Sequence, residues 1–258
     1  MSLLELIFDD AQSTVAREQL VGLLTKFAKG LTAVDLGRVA DSIIQGRFQN
    51  MQEKDILDMA YLNAKPLNKD HYHYSYFCAR ILIQETVMKD VRDILNLPKA
   101  PDSELLVPGL RHGRRCGMID ERLLDGRFDL EWLAAALKPK RNELLTVLAA
   151  QTLYDRYLQH DGGVRYETIQ TMFMRIAMGL AIDEDNPTQR ALEFYELLSS
   201  FDYMSSTPTL FNAGTKRPQL SSCYLTTIQD DLYNIYGGIR NNAMLSKWSG
   251  GIGNDWSR

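Results

Sequence analysis

Before Phe201 the chain returns apolar residues at three- and four-residue steps, the mark of helices that each bury one face. Val15, Leu20, Leu23, Leu24 and Phe27 predict a first helix, which Gly30 is suited to end as a C-cap. Val34, Leu36, Val39, Ile43 and Ile44 predict a second over 32–45. Ile56, Leu57, Met59 and Ala60 face inward on a third over 51–63. Phe77, Ala79, Ile81, Leu82, Val87, Val91 and Ile94 mark a long fourth over 72–95. The expectation for 1–96 is a small helical bundle.

Pro98, Pro101 and Pro108 resist helix continuation, so 97–117 reads as a linker. A second helical region is expected over 118–204. Asp129 can cap a helix over 129–137, and Pro139 follows it. Leu145, Leu148, Ala149, Leu153 and Tyr157 share a face over 142–157. Helices over 168–180 and 187–200 complete the region, the last with Pro187 in its first turn. Beyond Phe201 the pattern changes. Residues 205–214 are rich in Ser, Thr, Pro and Gly, 222–227 are strand formers, 230–246 return to helical spacing, and 249–253 form a glycine-rich loop.

Composition narrows the function classes. Apolar residues make up 45% of the 258 and charged residues 24%, the balance of a globular domain with a sizeable core. The net charge of −4 offers no basic surface for nucleic acid. No apolar run is long enough to span a membrane and no secretory leader is apparent, so a cytoplasmic setting is expected. The three cysteines, Cys78, Cys116 and Cys223, are widely spaced and make neither a disulfide framework nor a metal pattern. No metal site is expected in the chain.

Chemistry concentrates after Ser205. Hydroxyls around Pro208 can donate to a phosphate or a sugar. Gly250, Gly251 and Gly253 permit close backbone approach to an anion. Cys223 follows two serines on a short strand and is a candidate reactive thiol. Asp230 can accept from a ribose hydroxyl and Lys247 can meet a phosphate. Each signal alone is weak: a glycine-rich stretch is more often a plain turn, and a lone cysteine a small buried apolar side chain.

Taken in order, the run SSTPTLFNAGT, QLSSCYL, DDL and SKWSGGIGNDW resembles the large, catalytic subunit of class I ribonucleotide reductases. The upstream stretches LDGRFDLEWLAAALKP, QTLYDRYL, MFMR and EFYELLSSFDYMSSTPT look like bacterial members of that family. The similarity runs from about residue 115 to the end. Residues 31–87 are similar to an ATP-cone, with HYHYSYFCARILIQ as its last helix, but without the basic hairpin that opens one. The resemblance therefore implies a mainly α chain in four parts. These are a degenerate ATP-cone-like domain over 1–96, the linker 97–117, a helical domain over 118–204, and over 205–258 the first strands of a ten-stranded α/β barrel with an effector-site helix.

The resemblance also implies roles. Cys223 matches one member of the redox-active thiol pair that reduces a ribonucleoside diphosphate. Thr207, Ser222, Gly250 and Gly251 match substrate-binding positions. Asp230, Asp231, Leu232 and Lys247 match the site for a specificity effector, ATP or a deoxynucleotide, at the interface of a homodimer. Cys78 and Cys116 are expected to be structural. The family's radical cysteine and second redox cysteine have no counterpart here, so the chain is expected to be inactive alone. A companion polypeptide would carry the rest of the large subunit. A small subunit would supply the radical from its metal or radical cofactor, and thioredoxin or glutaredoxin the reducing equivalents. The alternatives are a fragment of a cobalamin-dependent reductase and a non-catalytic nucleotide-binding module.

Overall fold

The computed structural model describes residues 2–247 and 250–257. Ser249, the first residue of the expected glycine-rich loop, lies outside the described residues, as do Met1, Trp248 and Arg258. The chain divides into two compact units, one of residues 1–109 with 138–170, the other of 110–137 with 171–258. Both are mainly helical, and the strands are short.

The first unit opens with α1 (Leu3–Phe8), capped by Ser2, whose hydroxyl accepts from the Glu5 N–H while the Glu5 carboxylate accepts from the Ser2 N–H. Six residues are too few to announce themselves by periodicity. The expected bundle follows as α2 (Ser13–Ala28), α3 (Leu36–Gln45), α4 (Glu53–Ala64), α5 (His73–Leu82) and α6 (Met88–Leu95). A single π turn, Ile83–Val87, joins α5 to α6. Gly30 takes φ +78° just past the end of α2, the conformation that favours glycine there. Leu20, Leu24, Val39, Ile43, Ile56 and Phe77 form the buried core.

Residues 97–117 are not a linker. They contain α7 (Asp102–Arg115), with Pro108 inside it. An interior proline costs a helix about 3 kcal/mol. Burial of Leu105, Leu106 and Leu110, each at about 2 kcal/mol, offsets that cost. The expected helix over 142–157 is also interrupted. A 3-10 segment, Pro139–Leu144, gives way to extended Leu145. Thr146 then caps α9 (Val147–Thr152), which runs into a second π turn, Leu153–Tyr157. Gly162 and Gly163, both at positive φ, close a small hairpin of β1 (His160–Asp161) and β2 (Val164–Arg165).

In the second unit Asp129 caps α8 (Leu130–Ala135) as expected. α10 (Ile169–Ala181) and α11 (Pro187–Ser200) bury Phe173, Ile176, Ala177, Ala191 and Tyr195. The Ser/Thr/Pro/Gly-rich stretch forms a short helix rather than an open turn, α12 (Thr207–Asn212), with Pro208 in its first turn. The expected strand is β3 (Cys223–Thr227) and the expected helix is α13 (Leu232–Lys247). The glycine-rich loop is largely a strand, β4 (Gly251–Asp255), parallel to β3 and in register from Cys223 opposite Gly251 to Thr227 opposite Asp255. Its glycines serve close strand contact. A β-carbon at Gly251 would stand 3.2 Å from the Cys223 sulfur, and one at Gly253 would stand 2.8 Å from Leu225 Cδ2.

Candidate functional site

The site is built outward from α10. Arg175 is fully buried and is the one charged residue of that helix, and its Nη1 donates to the Ala213 carbonyl at 2.6 Å. One turn on, Gly179 lies against the chain at Gly214, where a β-carbon would come within 2.0 Å of the Gly214 nitrogen. The Asp120 N–H donates to the Gly214 carbonyl at 3.1 Å, and the Lys216 N–H to the Met118 carbonyl at 3.0 Å. The segment leaving α12 is thereby fixed from two sides.

From there α12 reaches the residues ahead of the thiol. Asn212 Nδ2 donates to the Gln219 carbonyl at 2.7 Å, and Thr209 Oγ1 to the Leu220 carbonyl at 3.2 Å. Gln219 Nε2 donates to the Ser221 carbonyl at 2.8 Å and to the Tyr224 phenol. The Gly251 N–H then donates to the Ser222 carbonyl at 2.9 Å. Cys223 opens β3 with its side chain exposed, and no disulfide engages it.

Four of the expected positions therefore converge: Cys223 opens one strand with Ser222 just before it, and Gly251 opens the neighbouring strand with Gly250 just before it. Gly250 lies under the Tyr224 ring, where a β-carbon would come within 2.7 Å of Cε2. Thr207 is exposed at the first position of α12. An accessible thiol beside two glycines can be approached closely by a ligand and can exchange with a second thiol.

The expected effector residues divide. Asp230 and Asp231 lie on the turn from β3 to α13 and Leu232 begins the helix, all exposed. Asp231 accepts from the Asn234 N–H at 3.0 Å and from the Asn234 side-chain amide. These bonds hold its carboxyl below the ordinary carboxylate range. Asp230 lines a cavity of about 270 Å³ with Ile228, Gln229, Ile235, Trp256 and Ser257, beyond the carboxyl ends of β3 and β4. Lys247 is the last residue of α13, so at 1.5 Å per residue it lies roughly 22 Å along the helix from Leu232. Within one chain Lys247 does not join the other three.

The other cysteines differ from Cys223. Cys78 is buried in α5, and desolvation pushes its thiol up to about 12 against the lowering effect of Lys65. Cys116 is exposed on the turn after α7.

Sequence reasoning assigned no role to Arg175, Asn212, Gln219 or Tyr224. The available signal was Arg175 itself, the one charge in a mostly apolar helix. Asn212 acts through a side-chain bond to backbone, and Gln219 through bonds to backbone and to the Tyr224 phenol, none of which leaves a periodic trace.

Comparison with known proteins bears on the same region. The profile of a family described as "Ribonucleotide reductase, all-alpha domain" matches residues 143–218. The chain is 38% identical over 255 residues to the ribonucleoside-diphosphate reductase subunit alpha of Chlamydia muridarum, covering 96% of this chain and 24% of that protein. It is 48% identical over 140 residues to the corresponding subunit of Helicobacter pylori, covering 53% and 18%. It is 29% identical over 259 residues to the large chain of Schizosaccharomyces pombe, covering 95% and 30%. The chain thus spans about a quarter of the length of the Chlamydia relative.

Proposed function

Because the chain belongs to the ribonucleotide reductase large-subunit family, we propose that it contributes Cys223 as one of two thiols that reduce a ribonucleoside diphosphate. The observation that carries this reading is the exposed Cys223 thiol held in register beside Gly251. In the overall reaction the 2′-hydroxyl leaves as water, a hydrogen takes its place, and two thiols become a disulfide. One cysteine supplies half of that exchange. A companion polypeptide supplies the second thiol and the radical cysteine. A small subunit generates the radical from its own metal or radical cofactor, and thioredoxin or glutaredoxin restores the thiols. Ser222, Gly250, Gly251 and Thr207 face the substrate, the glycines leaving room for its diphosphate.

ATP or a deoxynucleotide binds as specificity effector across a homodimer. Support comes from α13, where Leu232, Tyr233, Tyr236 and Ile239 are all exposed and Gly238 is the buried position. Two such helices packed antiparallel would bring Lys247 of one copy beside Asp230, Asp231 and Leu232 of the other. The helical part up to residue 96 serves as a structural cap with weak nucleotide binding, supported by α1 and α2 standing where an ATP-cone would open with a hairpin. Equilibrium dialysis against dATP tests that part: tight binding that requires residues before 96 contradicts it.

The test of the whole is an assay of ribonucleoside diphosphate reduction by this chain mixed with its companion and small subunit. Activity that appears on mixing and is lost with Cys223→Ser supports the reading. Robust reduction by this chain alone contradicts it.

A further inference from the structure

Side chains alternate along a strand, so Cys223 and Leu225 leave β3 on one face while Tyr224 and Thr226 leave on the other. The exposed face carries the thiol and the half-buried face carries the phenol. Whatever fixes the Tyr224 ring therefore fixes the rotation of the strand about its axis, and with it the direction of the Cys223 Cα–Cβ bond. Two contacts hold that ring. Its edge lies on Gly250, where a β-carbon would come within 2.7 Å, and its hydroxyl meets Gln219 Nε2. The same amide nitrogen donates to the Ser221 carbonyl at 2.8 Å, so both of its N–H groups are engaged, one on each side of the Ser222–Cys223 step. Gln219 is itself held, its carbonyl accepting from Asn212 Nδ2 and its N–H donating to the Arg217 carbonyl at 2.8 Å.

We propose that Gln219 is a positioning residue for the Cys223 thiol, clamping the Tyr224 phenol to the Ser221 carbonyl so that the thiol is held over Gly251. The proposal rests on the reading of Cys223 as a redox thiol but makes its own claim, about where that sulfur is held. Gln219 touches neither sulfur nor substrate, and its effect passes through Tyr224. A thiol anchored this way samples fewer orientations than one on a free strand end. That favours reaction with a partner presented from one direction and slows reaction with small reagents arriving from all sides.

The test compares Gln219→Leu, Tyr224→Phe and the double variant in the full chain. Iodoacetamide is the probe, and alkylation of the Cys223 peptide is followed by mass spectrometry with exposed Cys116 as internal reference. Tyr224→Phe keeps the ring on Gly250 and removes only the hydroxyl, so it separates the clamp from packing. Each single variant is expected to speed Cys223 alkylation by about threefold, the scale of one hydrogen bond. The double variant should be no faster than either single, and Cys116 should not change. In the reconstituted reductase the singles should lower kcat and leave KM alone. Cys223 rates within twofold of the native chain, or effects that multiply in the double variant, overturn the proposal. If Cys223→Ser leaves nucleotide reduction intact while the alkylation pattern appears, the clamp stands and the functional reading falls. If Cys223→Ser abolishes reduction while alkylation is unmoved, the reverse holds.

Discussion

Cys223 and Gly251 stand opposite each other on a parallel strand pair, and a β-carbon at Gly251 would sit 3.2 Å from the thiol sulfur. That distance is tight but the neighbour is a side chain that can turn. Gly251→Ala should therefore fold, with a stability loss of about 1 kcal/mol or less. It should displace the thiol by a few tenths of an ångström and reduce nucleotide turnover about tenfold in the reconstituted enzyme. Unchanged turnover would show that the thiol's seat on Gly251 is irrelevant to the chemistry.

A different glycine is expected to act on stability. Gly179 faces the backbone at Ala213 and Gly214, where a β-carbon would come within 2.6 Å and 2.0 Å of main-chain atoms that cannot rotate away. Gly179→Ala should cost about 3 kcal/mol, the upper range of overpacking, in denaturant unfolding. Arg175→Met should cost about 2 kcal/mol by leaving the Ala213 carbonyl without its donor. Variants at both positions that unfold like the native chain would contradict the account of how α12 is anchored.

Asp102 gives a pH signature. It is buried at the start of α7 and accepts from Thr168 Oγ1 at 2.5 Å. Burial raises its carboxyl above the ordinary value, with Thr168 and Arg92 opposing the rise. A raised carboxylate means that the folded chain binds a proton the unfolded chain releases. This group's contribution is therefore most favourable near pH 4 and lower and is lost as pH rises through the folded-state value. Asn accepts the same hydroxyl and never ionises. The melting temperature of Asp102→Asn relative to the native chain should rise between pH 4 and pH 7. A difference that is flat or falls across that interval would count against it.

On α13, Leu232, Tyr236 and Ile239 are spaced by four and three residues, share one face, and are each more than half exposed. The double variant Tyr236→Glu, Ile239→Glu should convert a dimer to a monomer in sedimentation velocity and abolish the effector response, while helix content by circular dichroism is kept. A dimer that survives both charges would show that another surface holds the copies together.

The helical part of the fold was legible because each long helix repeats its apolar face. α10, α11 and α13 fall within two residues of expectation, and Asp129 caps α8 as its side chain suggests. The misreadings have physical causes. Prolines at 98, 101 and 108 argued for a linker, but the burial of three leucines carries α7 through Pro108. Thr146 restarts a helix that periodicity had run straight through, because a hydroxyl cap leaves no mark on an apolar face. Gly251 and Gly253 read as a loop because glycine suits both a turn and a strand that must approach its neighbour closely. At the site, Ser222, Cys223, Gly250 and Gly251 were singled out by the family resemblance, and the paired strands set them side by side. The arms that hold them, from Arg175 through Asn212 to Gln219, join residues far apart in sequence and required the fold.

The most direct test of the account is nucleotide reduction by the reconstituted reductase carrying Cys223→Ser, with reduction of a ribonucleoside diphosphate followed at saturating effector. The prediction is loss of multiple turnover, with the variant still folded. Turnover at the native rate without the Cys223 sulfur would contradict the central claim.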